Sequence, residues 1–372
     1  MLANVYRLGC KELWSLLRDP MMLVLIAYTF TVSIYVAATA MPESLHSAAI
    51  AIVDEDGSAL SARIVAGFYP PHFTRPRLIS AAAMDAGMDS GEMTFVLDIP
   101  PGFQRDVLAG RSPTAQRNVD ATRMTQAFTG SGYIGNIVND EVAEFVQRHR
   151  GPAPLPAELD LRMRFNPNLE QSWFGSLMEI INQVTLLSII LTGAALIRER
   201  EHGTIEHLLV MPVTPAQIML AKVWSMGLVV LLAALVALVF VVQLALHVPI
   251  QGSIPLFMVV VGLHLFATTS MGIFLATLAR TMPQFGMLLV LVLLPLELLS
   301  GGITPRESMP RIVQDVMLGA PTTHFVAAAQ AILYRGAGIE VVWPPMLAIV
   351  AIGSVLFLAA LARFRRTISQ LA

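Results

Sequence analysis

Polar and ionisable side chains inside apolar runs are the first place to look for chemistry, because burying them in a membrane core is costly. Glu179, Asn182 and Gln183 lie at i, i+3 and i+4 of one such run and share a helical face. A carboxylate beside two amides can hold the polar or cationic head of an amphiphile. The same three groups can also hydrogen-bond a neighbouring helix, and both readings stand. Glu297 is a single acidic residue late in another run, and His264 sits alone in a third. A second constellation is the charge run Arg198-Glu199-Arg200-Glu201, followed by Gly203, Thr204, Glu206 and Pro212. Charges of alternating sign at the end of an apolar run are a surface that a soluble partner can grip. The eight histidines are scattered and form no H-E-x-x-H metal pattern. There is no G-x-S-x-G elbow and no phosphate-binding loop with its lysine. The single cysteine, Cys10, excludes an internal disulfide framework and a cysteine-based metal site. The chain is therefore expected to bind no cofactor or metal and not to be an enzyme.

The elements that carry these residues follow from hydropathy. The 372 residues are 55% hydrophobic and 13% charged, with a net charge of −2. The mean hydropathy is +0.66. Soluble domains carry about 25% charged residues, so the composition is that of a membrane protein, and no basic block points to nucleic acid. The fold class expected is an α-helical polytopic membrane protein with six spans. Residues 1–20 read as an amphipathic interfacial helix and 21–40 as the first span. Residues 41–172 read as an inserted α/β domain, with strands at 48–53, 94–99, 115–120 and 159–165 and helices at 58–68, 103–109 and 125–149. The remaining five spans fall within 173–372, at about 173–197, 218–246, 254–278, 285–299 and 343–361. In the charged segment at 198–215, Ile205, Leu208 and Leu209 share one face, so it reads as a short helix lying at the membrane surface. Residues 303–335 hold Pro305, Pro310 and Pro321 and are too interrupted to span; they read as a re-entrant element in the outer leaflet. Lys and Arg cluster near span ends in the N-terminal helix, the 198–222 loop, the turn at Arg280 and the C-terminal tail. Positive-inside then puts both termini in the cytoplasm and the 41–172 domain outside.

The run E-R-E-H-G-T-I-E-H-L-L-V-M-P-V-T-P, with Lys222 in the following helix, resembles the coupling segment of ATP-binding-cassette exporter permeases of the second type. The words F-V-L-D-I-P-P-G-F-Q-R-D-V-L-A-G and V-D-A-T-R resemble the extracytoplasmic domain of the same family, and the likeness runs the whole length of the chain. The resemblance implies a transmembrane subunit of an ATP-driven exporter, moving amphipathic or hydrophobic, drug-like or lipid-like cargo out across a bacterial inner membrane. It implies an ATPase subunit that binds ATP and Mg, docked on the N-terminal helix and on Arg198, Glu199, Arg200, Glu201, Gly203, Thr204, Glu206 and Pro212. It also implies a second permease half, identical or related, and by analogy a periplasmic adaptor. Glu179, Asn182 and Gln183 are the candidate translocation path, because their span leads directly into the coupling segment. An ion-coupled carrier is the alternative, but it would need charges in several spans and an internal repeat. A membrane sensor or scaffold would need a cytoplasmic output domain, which the sequence lacks.

Overall fold

The computed structural model describes residues 2–39, 48–120, 124–150, 171–201, 203 and 213–369. In chain order the elements are α1 (Leu2–Leu17), α2 (Pro20–Thr39), β1 (Ile50–Asp54), α3 (Ala59–Ala66), β2 (Arg77–Leu78), α4 (Ala81–Asp89), β3 (Phe95–Ile99), α5 (Phe103–Leu108), β4 (Gln116–Val119), α6 (Met124–Arg150), α7 (Gln171–Glu201), α8 (Pro215–Ala245), α9 (Ile254–Leu278), α10 (Met282–Leu299), α11 (Arg311–Met317), α12 (Pro321–Leu333) and α13 (Ile339–Ser369). They form two compact units, one of residues 1–40 with 172–372, the other of 41–171.

The first unit is helical, and among the described residues six of its helices are long and apolar enough to cross a membrane: α2, α7, α8, α9, α10 and α13. Prolines in the first turns of α2, α8, α9 and α10 mark where four of them begin, since proline there loses no helical hydrogen bond. Asp19 caps α2 by accepting the Met22 N–H at 3.2 Å. Thr214 and Gln217 cap α8 reciprocally. The bundle is built around α7 and α9. Of their apolar stretches 83% and 67% is buried, against 17–28% in the other four. Small residues let the two backbones meet: a methyl group on Gly272 would stand 2.7 Å from the Ile189 carbonyl oxygen. Gly353 of α13 packs in the same way against Ala267 of α9. The small residues of α9 thus serve contacts within the chain.

One of the expected boundaries changes in a way that matters. The second span does not stop at Ile197 but continues to Glu201, so the four alternating charges are the last turn of α7 and not the opening of a surface helix. The helix continues because each charge finds a partner inside the protein, as described below. The interrupted region 303–335 holds a single 3₁₀ turn, Arg306–Ser308, then α11 and α12, which meet at 90°.

In the second unit the sheet order is β2-β1-β3-β4, with β1 parallel to β2 and β3, and β3 antiparallel to β4. Successive residues of β1 are buried on both faces, as in a sheet covered on two sides. Ile50, Ile52, Phe95 and Leu97 pack with α3 and α6, while Ala51, Val53 and Val96 meet Met84 and Met88 of α4. The Asp54–Gly57 turn forms as its residue types predict: Asp54 Oδ1 accepts the N–H groups of Asp56 and Gly57, and Gly57 takes a φ of 57°. Strand β2 and helix α4 were not expected from the sequence. The strand expected at 159–165 lies outside the described residues.

Candidate functional site

The last turn of α7 is a clamp in which each of four successive side chains holds a different element. Arg198 Nη1 donates to Asp19 Oδ2 at 2.6 Å, at the junction of α1 and α2. Glu199 Oε1 accepts from Lys11 Nζ of α1 at 2.7 Å, and its Oε2 lies 2.8 Å from Lys222 Nζ of α8. Arg200 Nη1 donates to the Ala279 carbonyl at 2.6 Å and the Ala276 carbonyl at 3.3 Å, which covers the end of α9. Glu201 Oε1 accepts the Met282 N–H at 2.9 Å, which caps α10. Gly203, with φ of 65°, then closes the turn by donating to the Arg200 carbonyl at 3.1 Å. Of the four charges only Glu201 is exposed, so the run is not a freely projecting knob. Thr204, Glu206 and Pro212 lie outside the described residues.

At the centre of the clamp, among the described residues, is a quartet of two cations and two anions. Lys222 bridges Glu199 and Glu12, the latter at 3.0 Å, and Lys11 lies 3.6 Å from Glu12. Lys222 is only 1% exposed and Glu12 6%. Buried charges persist only when paired, and the two lysines balance the two carboxylates. Burial pushes the Glu12 carboxyl above its ordinary value; Lys222 opposes that and the neighbouring Glu199 adds to it. Burial pulls the Lys11 amine down, but Glu199 and Glu12 outweigh it and hold the amine above its ordinary value. The partners come from α1, which is seated on α8 by Trp224. The indole Nε1–H donates to the Val5 carbonyl at 3.2 Å, Tyr6 stacks on the ring, and Gly9 gives it room. A cavity of about 250 Å³ opens beside the quartet, lined on its apolar side by Leu16, Met22, Leu191 and Met226.

At the other end of α7, Glu179 Oε1 accepts from Ser33 Oγ of α2 at 2.5 Å and from Gln183 Nε2 at 2.6 Å. Gln183 is 8% exposed, while Glu179 and Asn182 are half-buried on the same face. Glu297 of α10 is half-buried and within Coulombic reach of Glu179. Two members of the expected stripe, Glu179 and Gln183, are hydrogen-bonded to Ser33 and so join α2 to α7, while Asn182 lies half-buried on the same face. His264 is fully buried, stacked on Phe325 with ring centroids 4.0 Å apart, and shares a hydrogen bond with Thr185 Oγ1 at 2.8 Å. Its place is in packing between α9, α12 and α7.

Sequence reasoning did not find Glu12, Lys11, Asp19 or Lys222 as members of one site. Lys222 was the available signal: a lysine seven residues into an apolar helix has to be paired or to reach an interface.

A family model described as ABC-2 family transporter protein matches residues 20–362. The chain is 62% identical over 371 residues to the inner membrane transport permease YhhJ of Escherichia coli K12, covering 100% of this chain and 99% of the relative. It is 28% identical over 375 residues to the probable multidrug ABC transporter permease YbhR of the same organism, covering 99% and 100%. A third relative, the probable multidrug ABC transporter permease YbhS, is 26% identical over 263 residues, 68% of this chain and 67% of that protein.

Proposed function

Because the chain belongs to the ABC-2 family of transporter proteins, we propose that it is the permease subunit of an ATP-driven exporter in the bacterial inner membrane, carrying amphipathic or hydrophobic cargo outward. The relatives' names, an inner membrane transport permease and a probable multidrug permease, support both the location and the cargo class. ATP and Mg are bound and hydrolysed by a separate ATPase subunit, and a second permease half, identical or related, completes the path. Both termini face the cytoplasm. Arg7, Lys11, Arg18, Arg198, Arg200, Arg280, Arg363, Arg365 and Arg366 gather at the end of the spans that carries α1, and Arg306, Arg311 and Arg335 at the other. The 41–171 unit is then extracytoplasmic, the bent pair α11–α12 is a re-entrant element of the outer leaflet, and an adaptor is a candidate partner of the outer unit.

The observation that carries this reading is the four-charge clamp. The segment from Thr204 to Pro212 is flanked by α7 and α8, and the ends of both are locked into the quartet. A load applied to that segment by an ATPase would reach α1, α2, α8, α9 and α10 through bonds of 2.6–3.0 Å. The test is Glu206→Lys, in the membrane protein purified with its ATPase. A reversed charge at a docking surface costs on the order of 2–5 kcal/mol when buried, so ATPase recovery and ATP-driven export should both fall while insertion is unchanged. Undiminished ATPase recovery together with undiminished export would remove the segment from the docking surface.

A second reading concerns the path. Glu179, Asn182 and Gln183 line it on the side of α7 that the second half faces, supported by the partial exposure of Glu179 and Asn182 and by Glu297 nearby. Cargo with a cationic head is favoured there.

A further inference from the structure

A cavity of about 500 Å³ lies at the end of the first unit away from the charge quartet, between the start of α7, the turn after α10 and the length of α12 as far as Arg335. One side is apolar, with Phe174, Ile303 and Val326; the other presents Arg306, Arg335 and Thr323. Phe174 is 40% and Ile303 60% exposed, so the apolar side runs out onto the lipid-facing surface. Arg306 is half-buried. Its Nη2 donates to the Gln314 carbonyl at 3.3 Å, while its Nε is buried and has no partner among the described residues. Thr323 is 5% exposed, and its hydroxyl likewise has no partner among them. Helix α12 opens here with Ala320 at its cap position, so no side chain satisfies its first N–H groups. The positive end of that helix lies on the Thr323 side of the cavity, while Arg335 follows the helix's other end. The one acidic side chain among the lining residues, Glu307, is exposed at the rim.

We propose that this cavity holds the phosphate headgroup of a membrane phospholipid. Guanidinium groups present forked donors that match phosphate oxygens, and Arg306 has an unused donor. The volume falls in the range of small-molecule sites, and the lining is both polar and apolar. A headgroup bound against Arg306 and Arg335 leaves its glycerol and first acyl carbons against Phe174 and Ile303. The stacked pair Phe174 and Tyr334 marks the level of the lipid headgroups, where aromatic side chains gather. A free phosphate ion would use the arginines and leave the apolar side empty, and a cationic amphiphile would meet two positive charges.

The experiment uses the full-length protein in a non-ionic detergent, titrated with dioleoyl phosphatidylglycerol, dioleoylglycerol or inorganic phosphate. Melting temperature is read together with bound lipid by native mass spectrometry. Phosphatidylglycerol should raise the melting temperature saturably and remain bound at one per chain, while dioleoylglycerol and phosphate should not. Arg335→Gln is the main variant, because Arg335 is exposed and ties no element among the described residues. It should melt like wild type without lipid and need about tenfold more phosphatidylglycerol for the same shift. Arg306→Gln should weaken the response at least as much. If dioleoylglycerol matches phosphatidylglycerol, or Arg335→Gln titrates like wild type, the headgroup site is refuted. A full response to inorganic phosphate alone would replace the lipid by an ion and refute it equally.

Discussion

Replacing Lys222 by Met tests whether the quartet is a neutral, mutually dependent unit. Methionine keeps the length and apolar stem of lysine and removes one charge from a site where the side chain is 1% exposed. Among the described residues Glu12 and Glu199 then share Lys11, whose side chain is 49% exposed, and two buried carboxylates face one fewer cation. Breaking a buried pair from one side costs on the order of 3–5 kcal/mol. For a unit of this size that corresponds to roughly 10 °C in melting temperature. The double variant Lys222→Met with Glu12→Gln restores charge balance, leaving the Lys11–Glu199 pair at 2.7 Å, and should recover most of the loss. A pH signature accompanies it. Burial already holds the Glu12 carboxyl above its ordinary value in the wild type, with Lys222 working against the shift. A raised carboxyl contributes stability that is present below its unfolded value and lost as pH rises through the folded value. Without Lys222 the folded value rises further, so the single variant should be most nearly normal in acid and weaken as pH rises towards neutrality. The assay is melting in detergent, followed by intrinsic fluorescence across pH 4 to 8. A single variant as stable as wild type at pH 7, or a double variant no better than the single, would refute the argument.

Orientation is tested on a Cys10→Ala background, with a single cysteine at the exposed Ser112 or at the exposed Thr281 beside Arg280. A membrane-impermeant thiol reagent added to intact cells should label the first and not the second, and the reverse pattern would invert the topology. For the polar stripe, Glu179→Gln should lower export of a cationic amphiphile more than of a neutral one. Equal export of both with a lower melting temperature would assign Glu179 to the Ser33 and Gln183 hydrogen bonds alone.

The spans were legible because a run of about twenty apolar residues has few other fates. Their proline starts were legible too. The ends were not, and α7 shows why. Hydropathy ends a span where charge begins, at Arg198, but a helix ends where its backbone groups find other partners. Here Gly203 supplies that point. The fate of the four charges depended on residues 179 and 188 positions away, Asp19 and Lys11, which local pattern cannot pair. Strand β2 escaped notice because two residues on a sheet edge carry no alternation, and α4 because its Ala, Gly, Asp and Met residues form only a weak apolar stripe. The polar stripe was readable as a stripe, since i, i+3, i+4 spacing is local, whereas its Ser33 partner was not.

What the clamp and the stripe have in common is α7, and the two sets of bonds restrict how that helix can move. At one end Arg198 and Glu199 hold it to the α1–α2 junction and to α1; at the other Glu179 and Gln183 hold it to Ser33 of α2. Beyond the stripe, towards the start of α7, Gly175 lies against Ala37, where a methyl group would stand 2.7 Å from the Ala37 carbonyl oxygen. A helix fastened to its neighbour at both ends can slide or tilt only with that neighbour, so α1, α2 and α7 form one mechanical piece. Helix α10 is fastened differently. Glu201 caps its first N–H and Gly193 receives Phe285, but its far half presents Leu291, Leu294 and Leu298 outward with no comparable bond among the described residues. A load delivered to the last turn of α7 would therefore displace α1, α2 and α7 together and pivot α10 about its capped end. Glu179 of α7 and Glu297 of α10 are half-buried carboxyl groups on the two helices that such a pivot would separate.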